Sequence, residues 1–158
     1  MNAKDVMYTV VGLLFVVFLA GCGMKEPTDL TPLSKEDGQK VVDFVTQYKK
    51  EMIDAVNKRD VDELEETYFL PNTSFSQAFH RYVEDLSKQA ATKSLVSFEV
   101  GGVYRDQEAG DLLVDVDEHV VIERPNGELE DVNRSVRYWI VEGSESEYRL
   151  YTIIDRSN

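Results

Sequence analysis

Apolar residues along this chain change their spacing once, near Lys93, and the change divides the sequence into a helical half and a stranded half. Val41, Val45, Tyr48, Met52 and Val56 follow one another at steps of four, three, four and four, the spacing of a single helical face. Ser34 with Asp37 three positions on has the form of a capping box, so a first helix is predicted over 34–59. Asp60 with Glu63 repeats that signature and opens a short helix that Pro71 stops. Ser74 with Gln77 opens a third, in which Phe75, Phe79, Tyr82 and Leu86 share a face. Beyond Lys93 the period falls to two, and strands are predicted over 95–105, 111–123, 128–142 and 148–155. The expected class is α+β, with three N-terminal helices packed on a curved four-stranded antiparallel meander.

The alternation also predicts a register. Apolar positions of the second and third strands are both even-numbered (Val114, Val116 and Val120; Val132, Val136 and Ile140), and residues directly opposed across a hairpin point to the same face. Even must therefore oppose even, which requires a three-residue loop, Pro125-Asn126-Gly127, closed by Arg124 and Glu128 with Gly127 left-handed. The same reasoning pairs Arg105 with Asp111 and Glu142 with Tyr148. The even face then carries Val96, Phe98, Val100, Leu112, Val114, Val116, Val136, Ile140, Leu150 and Ile154, and the helices should cover it. Glu118 interrupts it, between Phe98 and Arg134. On the odd face an apolar row, Val103, Leu113, Trp139 and Tyr151, has a polar surround. It is a candidate interface for a second copy or an envelope protein, unless the linker or a bent strand covers it.

Residues 6–20 form fifteen consecutive uncharged positions behind Lys4 and Asp5. A membrane-spanning helix needs about 20 apolar residues, whereas this length suits the core of a secretory signal. Leu19-Ala20-Gly21-Cys22 resembles the lipobox of bacterial lipoproteins, in which the cysteine sulfur takes a diacylglyceryl group and the chain is cut just before it. The alternative is an uncleaved signal anchor with an idle cysteine. The expected organisation is a signal peptide over 1–21, lipidated Cys22 with a linker to 33, and one domain over 34–158.

Removal of 21 residues leaves 137 of the 158, enough for one domain with its own core. Cys22 is the only cysteine, so the exported domain must fold without a disulfide. Lys4 and Asp5 cancel, and the formal charge of -13 falls entirely on the mature part. Such a body is a poor partner for nucleic acid, and anionic headgroups repel it. With Pro27 and Pro32 in an extended linker over 23–33, the domain is expected to stand off the extracytoplasmic side of the cell membrane.

Candidate chemistry is sparse. Glu118 is either a pocket carboxylate able to act as a base or hold a cation, or half of a neutralised pair with Arg134. His80 lies one step off the aromatic face of the third helix, where a half-exposed histidine is the plainer reading and a pocket role the sharper one. Asp115, Asp117 and His119 share one side of a strand, but ligands two residues apart lie roughly 6 to 7 Å apart, too far for all three to meet one ion. The acidic run 60–66 lacks the alternating ligands and glycine of a calcium loop. No Gly-rich phosphate loop, Gly-x-Ser-x-Gly elbow or Cys-His pair occurs in the mature part, and neither metal nor cofactor is expected.

Three helices followed by a curved meander is the order of the nuclear-transport-factor-2-like cone, and "VRYWIVEGSESEYRLYTIID" resembles the final hairpin of that superfamily. More narrowly, "FVTQYKKEMIDAVNKRDVDELEETYFLPNTSFSQAFHRYVEDL" is similar to the opening of the C-terminal domain of teicoplanin-resistance-associated membrane proteins of Gram-positive bacteria. The similarity covers about Lys35 to Asp155. The chain departs from those proteins in carrying a lipid-bearing cysteine where they have a membrane-spanning segment and further domains. The resemblance implies a concave pocket between sheet and helices, and dimerisation through the opposite face. Isomerases, dehydratases and epoxide hydrolases also belong to the superfamily. For such chemistry only Glu118, Arg134, Tyr48 and His80, beside Phe98, are available here, and no matching catalytic motif carries a mechanism across. The expected function is that of a non-catalytic lipoprotein binding an envelope component or protein partner. The alternative is a small-molecule enzyme using Glu118.

Overall fold

The computed structural model describes residues 25–157; Cys22 and the signal reading lie outside them. The first helix, α1 (Lys35–Lys58), starts where the capping box places it. Ser34 is the N-cap, its side chain accepts from the Asp37 amide, and Arg59 closes the helix in a left-handed conformation. Two other starts differ from expectation. Helix α2 (Asp62–Tyr68) begins after Val61 with no side-chain cap, so Asp60 does not start it. Helix α3 (Ser74–Lys88) is capped by Thr73, whose hydroxyl accepts from the Ser76 amide, rather than by Ser74. A threonine one residue upstream offers the same oxygen and wins on geometry.

Among the described residues the sheet has five strands, not four, in the order β1 (Leu30–Pro32), β2 (Thr92–Asp106), β3 (Leu112–Glu123), β4 (Leu129–Glu142) and β5 (Tyr148–Asp155), all antiparallel. The extra strand comes from the segment read as linker: Leu30 pairs with Asp106 and Pro32 with Tyr104. Proline is tolerated there because β1 is an edge strand.

The β3–β4 hairpin has the expected register, with Val116 opposite Val136 and Glu118 opposite Arg134. Its three-residue loop is closed by the Arg124 amide donating to the Glu128 carbonyl at 3.0 Å, with Gly127 at φ 82°.

Bulges make the flanking strands depart from simple alternation. In β2 one extra residue falls between Leu95 and Ser97 and another between Val100 and Val103, so Arg105 pairs with Leu112 rather than Asp111. Each extra residue inverts which parity faces the helices. Val103 therefore leaves the outer row for the core, where a Cβ on Gly38 of α1 would meet it at 3.3 Å. Val96, expected inside, is one of the most exposed apolar residues. A third bulge, at Tyr151, places Ile153 against the core and sets Ile154 opposite Arg137 on the outer face.

The helices cover the inner face of the sheet through Val41, Val45, Tyr48, Met52 and Val56 of α1 and Phe79, Val83 and Leu86 of α3. Asn57 near the end of α1 clips the start of β2, donating to the Lys93 carbonyl at 2.7 Å and accepting from the Lys93 amide at 2.8 Å.

The left-handed loop position makes the hairpin testable. Gly127→Ala forces an L side chain into that region at a cost of roughly 1–2 kcal/mol, about 3–6 °C in Tm for a domain of this size. Among the described residues nothing lies within 4 Å of the added Cβ, so the loss is conformational and Gly127→Asn should recover much of it. Thermal unfolding of the two variants checks this.

Candidate functional site

Glu118 stands in the middle of β3 on the face the helices cover, with Phe98 opposite it on β2 and Arg134 opposite it on β4. It is 3% exposed. A carboxylate this deep needs compensation, and its compensation comes from three donors. Arg134 Nη2 donates to Oε1 at 2.6 Å, while Lys49 Nζ at 2.8 Å and the Tyr138 hydroxyl at 3.1 Å both reach Oε2. Phe98 and Tyr48 pack edge-on against the Tyr138 ring at 6.0 and 6.1 Å. Lys93 completes the group, buried, with its ammonium 4.9 Å above the Tyr82 ring.

Lys49 is the residue that sequence reasoning missed. It is 1% exposed, as buried as Tyr48 beside it. The signal was present: from Val45, Lys49 is four residues on, and Met52 follows three later, so a lysine occupies the apolar face of α1 at helical spacing. Lys93 was hidden for another reason. Only the bulge at Val96 turns it inward, opposite Ile122.

The electrostatics follow from burial. Burial pushes the Glu118 carboxyl up, but Lys49 and Arg134 together outweigh it and hold it at about 2. For Lys49 burial acts first and repulsion by Lys93 second, lowering the amine to about 7 against the opposing pull of Glu118. Lys93 is lowered to about 8 by burial and then by Arg134. The Tyr48, Tyr82 and Tyr138 hydroxyls are all pushed above their ordinary value, by burial first.

The other candidates lie elsewhere. His80 joins Glu65 of α2 at 2.8 Å with its side chain 54% exposed. It lines a surface groove with Arg59, Val83, Glu84, Ser87 and Lys88, none of which belongs to the Glu118 group. Asp115, Asp117 and His119 each have a separate partner: Arg137, the Ser135 hydroxyl and Asp131.

Of the outer row, Leu113 and Trp139 are buried, the indole NH bonds Asp111 at 2.8 Å, and Tyr151 packs edge-on against the indole. Tyr104 takes the place expected for Val103, opposite Leu113. Segment 25–33 crosses this face, because Glu26 pairs with Arg137 of β4 and with Arg156 while residues 30–32 pair with β2.

These shifts fix a pH profile. Between pH 2 and 4.5 the unfolded Glu118 binds the proton that the folded one refuses, so its stabilisation is lost as pH falls through that window. Lys49 gives up its proton near 7 when folded and near 10.5 when unfolded, so the unfolded chain again binds more protons and stability rises from pH 7 towards 10. Above about pH 10 the tyrosines reverse the trend, because only the unfolded state ionises them. Lys49→Met should remove the rise between pH 7 and 8 and leave the shallower rise that Lys93 supplies from about 8 upward. Glu118→Gln, which strands two cations, should cost about 3–5 kcal/mol. Urea unfolding from pH 3 to 10 measures both effects.

The chain is 39% identical over 141 residues to an uncharacterized protein of Alkalihalophilus pseudofirmus, an alignment that covers 89% of each. Among solved structures it resembles the intermembrane space region of the chloroplast protein ARC6, at 11% identity and a TM-score of 0.59 over 81% of this chain and 100% of that one. It also resembles a protein of Catenulispora acidiphila in complex with S-DNPA (14% identity, TM-score 0.51, over 74% of this chain and 92% of that one). A third likeness is Aln2 of a Streptomyces species, at 12% identity and a TM-score of 0.51 over 80% of this chain and 94% of that one. At such identities the structures speak to the fold alone. The family description "TcaA protein NTF2-like domain" matches residues 38–154, and the chain belongs to that family.

Proposed function

We propose that the chain is an extracytoplasmic lipoprotein, held to the cell membrane by lipid on Cys22, whose domain binds an envelope component or a protein partner and catalyses no reaction. The single observation that carries the non-catalytic part is the occupancy of Glu118. Arg134 takes one oxygen, and Lys49 and Tyr138 take the other. A general base must come within hydrogen-bond reach of a substrate proton, and this carboxylate spends its reach on three donors of its own chain. The anchor is supported by the uncharged run over 6–20 and the lipobox-like ending at Cys22. Two acyl chains hold a protein stably where one does not. Partner surfaces are sought outside the Leu113–Trp139 row, which the chain itself covers.

A second reading, a small-molecule enzyme of isomerase, dehydratase or hydrolase type centred on Glu118, is favoured by one observation. Lys49 is a buried amine lowered to about 7 beside a carboxylate, the condition of an acid-base or imine-forming lysine.

Two measurements separate the readings. Labelled palmitate should enter the full chain and be absent from Cys22→Ala. Thermal unfolding of the fragment 23–158 against fractions of cell-envelope small molecules reports on the cone, since a ligand at 100 times its Kd stabilises by about 2.7 kcal/mol. The binding reading expects Lys49→Met to keep any shift and its partners in cells. A shift lost in that variant, with the fold intact, turns the assignment to the enzyme.

A further inference from the structure

The segment that should have been a flexible linker is part of the fold. From its N-terminal end, Glu26 carries a carboxylate oxygen 3.1 Å from Arg137 Nη1 and also pairs with Arg156. Arg137 is itself immobilised, since its Nε and Nη2 grip Asp115 at 2.6 and 2.8 Å and its guanidinium lies over the Tyr104 ring. Further on, the Gln107 amide donates to the Asp29 carbonyl at 2.9 Å, residues 30–32 pair with β2, and the Leu33 amide donates to the Val103 carbonyl at 2.8 Å. Glu26, Asp29 and residues 30–33 are thereby held against the outer face or the edge of the sheet.

We propose that this strap, rather than a free linker, fixes which part of the domain lies at the bilayer: the corner formed by Glu26, Arg137 and Arg156. The inference rests on the lipidation of Cys22 proposed above. Glu26 is four steps along the chain from Cys22, so the anchored cysteine lies within about 14 Å of the strap corner at 3.3–3.6 Å per residue. A linker free as far as Leu33 would allow eleven residues and up to about 40 Å.

The opposite end of the sheet is the β3–β4 hairpin. Asn126 is eleven residues before Arg137 along β4 and its loop, about 30 Å away at the rise of an extended strand. That end carries Glu123, Glu128, Glu130 and Asp131 against one arginine, Arg124, which pairs with Glu130 at 2.8 Å and Glu128 at 3.7 Å, so it keeps a net negative charge that anionic headgroups repel. At the strap corner, by contrast, Arg137 and Arg156 are matched by Glu26 and Asp115. The domain therefore turns its hairpin end and helical layer outward, and these are the surfaces offered to a partner.

The test uses the full lipidated chain reconstituted in vesicles of phosphatidylglycerol and phosphatidylcholine, with one added cysteine bearing a fluorophore at Ser157 or at Asn126 and a quencher on the lipid headgroups. Flotation with the vesicles, lost in Cys22→Ala, establishes the anchor. In the floating protein the label at 157 should be quenched at least threefold more than that at 126. Glu26→Ala, which frees the strap back to Asp29 and lengthens the tether from four residues to seven, should reduce quenching at 157. Equal quenching at the two positions in protein that floats, or no response to Glu26→Ala, overturns the strap inference and leaves the anchor standing. Protein that does not float overturns both.

Discussion

The inner face of this domain is organised around one carboxylate. Glu118 sits where the alternation of β3 demands an apolar residue, and it is tolerable there only because Lys49 arrives from α1 and Arg134 from β4. The requirement is mutual. Lys49 is the one lysine on the apolar face of α1, among Val45, Tyr48, Met52 and Val56, and without Glu118 it would be an unpaired cation under a helix. Helix position, sheet register and the tyrosine packing around Tyr138 thus share one electrostatic condition. Replacing such a cluster by hydrocarbon often costs nothing in other proteins. What the charges add is direction, since oily residues would allow α1 to rotate or slide in ways that a 2.8 Å ion pair does not.

The cone is consequently a filled one at this level of the sheet. Tyr48, Tyr138, Phe98 and the Glu118 donors occupy the space between sheet and α1, and the groove lined by His80 lies on other residues altogether. The superfamily resemblance grouped His80 with Glu118 among the residues available for chemistry. Distance along the fold separates them, and His80 instead braces α3 against α2 through Glu65.

How much could be read from the chain depended on whether a single repeat governed it. The three helices, the β3–β4 register with Glu118 opposite Arg134 and the Pro125–Gly127 loop follow from unbroken periods and were legible, whereas Phe98 falls opposite Glu118 as expected only because the bulge between Val100 and Val103 offsets the one-residue difference at the β2–β3 turn. The faces of β2 and β5 were not, because a bulge adds one residue without altering composition. Gly101 and Gly102 mark the second bulge of β2, yet nothing in the residues around Val96 or Tyr151 announces the others. Lys49 was legible and overlooked, since a search for apolar spacing passes over a charge that satisfies it. The strap was misread for the opposite reason. Its prolines argue against regular structure, while its hold on the fold comes from Glu26 reaching arginines 111 and 130 residues away in sequence, which no local pattern encodes.

The two faces of the sheet meet in one constraint. On the inner side Glu118 of β3 faces Arg134 of β4; on the outer side Asp115 of β3 faces Arg137 of β4, and Arg137 in turn holds the strap. The residues of each pair are three apart along their own strand, and an odd separation sends them to opposite faces. A slip of β4 by one residue would carry Arg134 outward and Arg137 inward together. Glu118 would lose its bidirectional neutralisation, Lys49 would be left with a carboxylate short of a partner, and Asp115 and Glu26 would both face residues unable to pair with them. Hydrophobic alternation alone penalises that slip. The charge pattern penalises it a second time on each face, so the register that buries Glu118 is the same register that fastens the N-terminal strap.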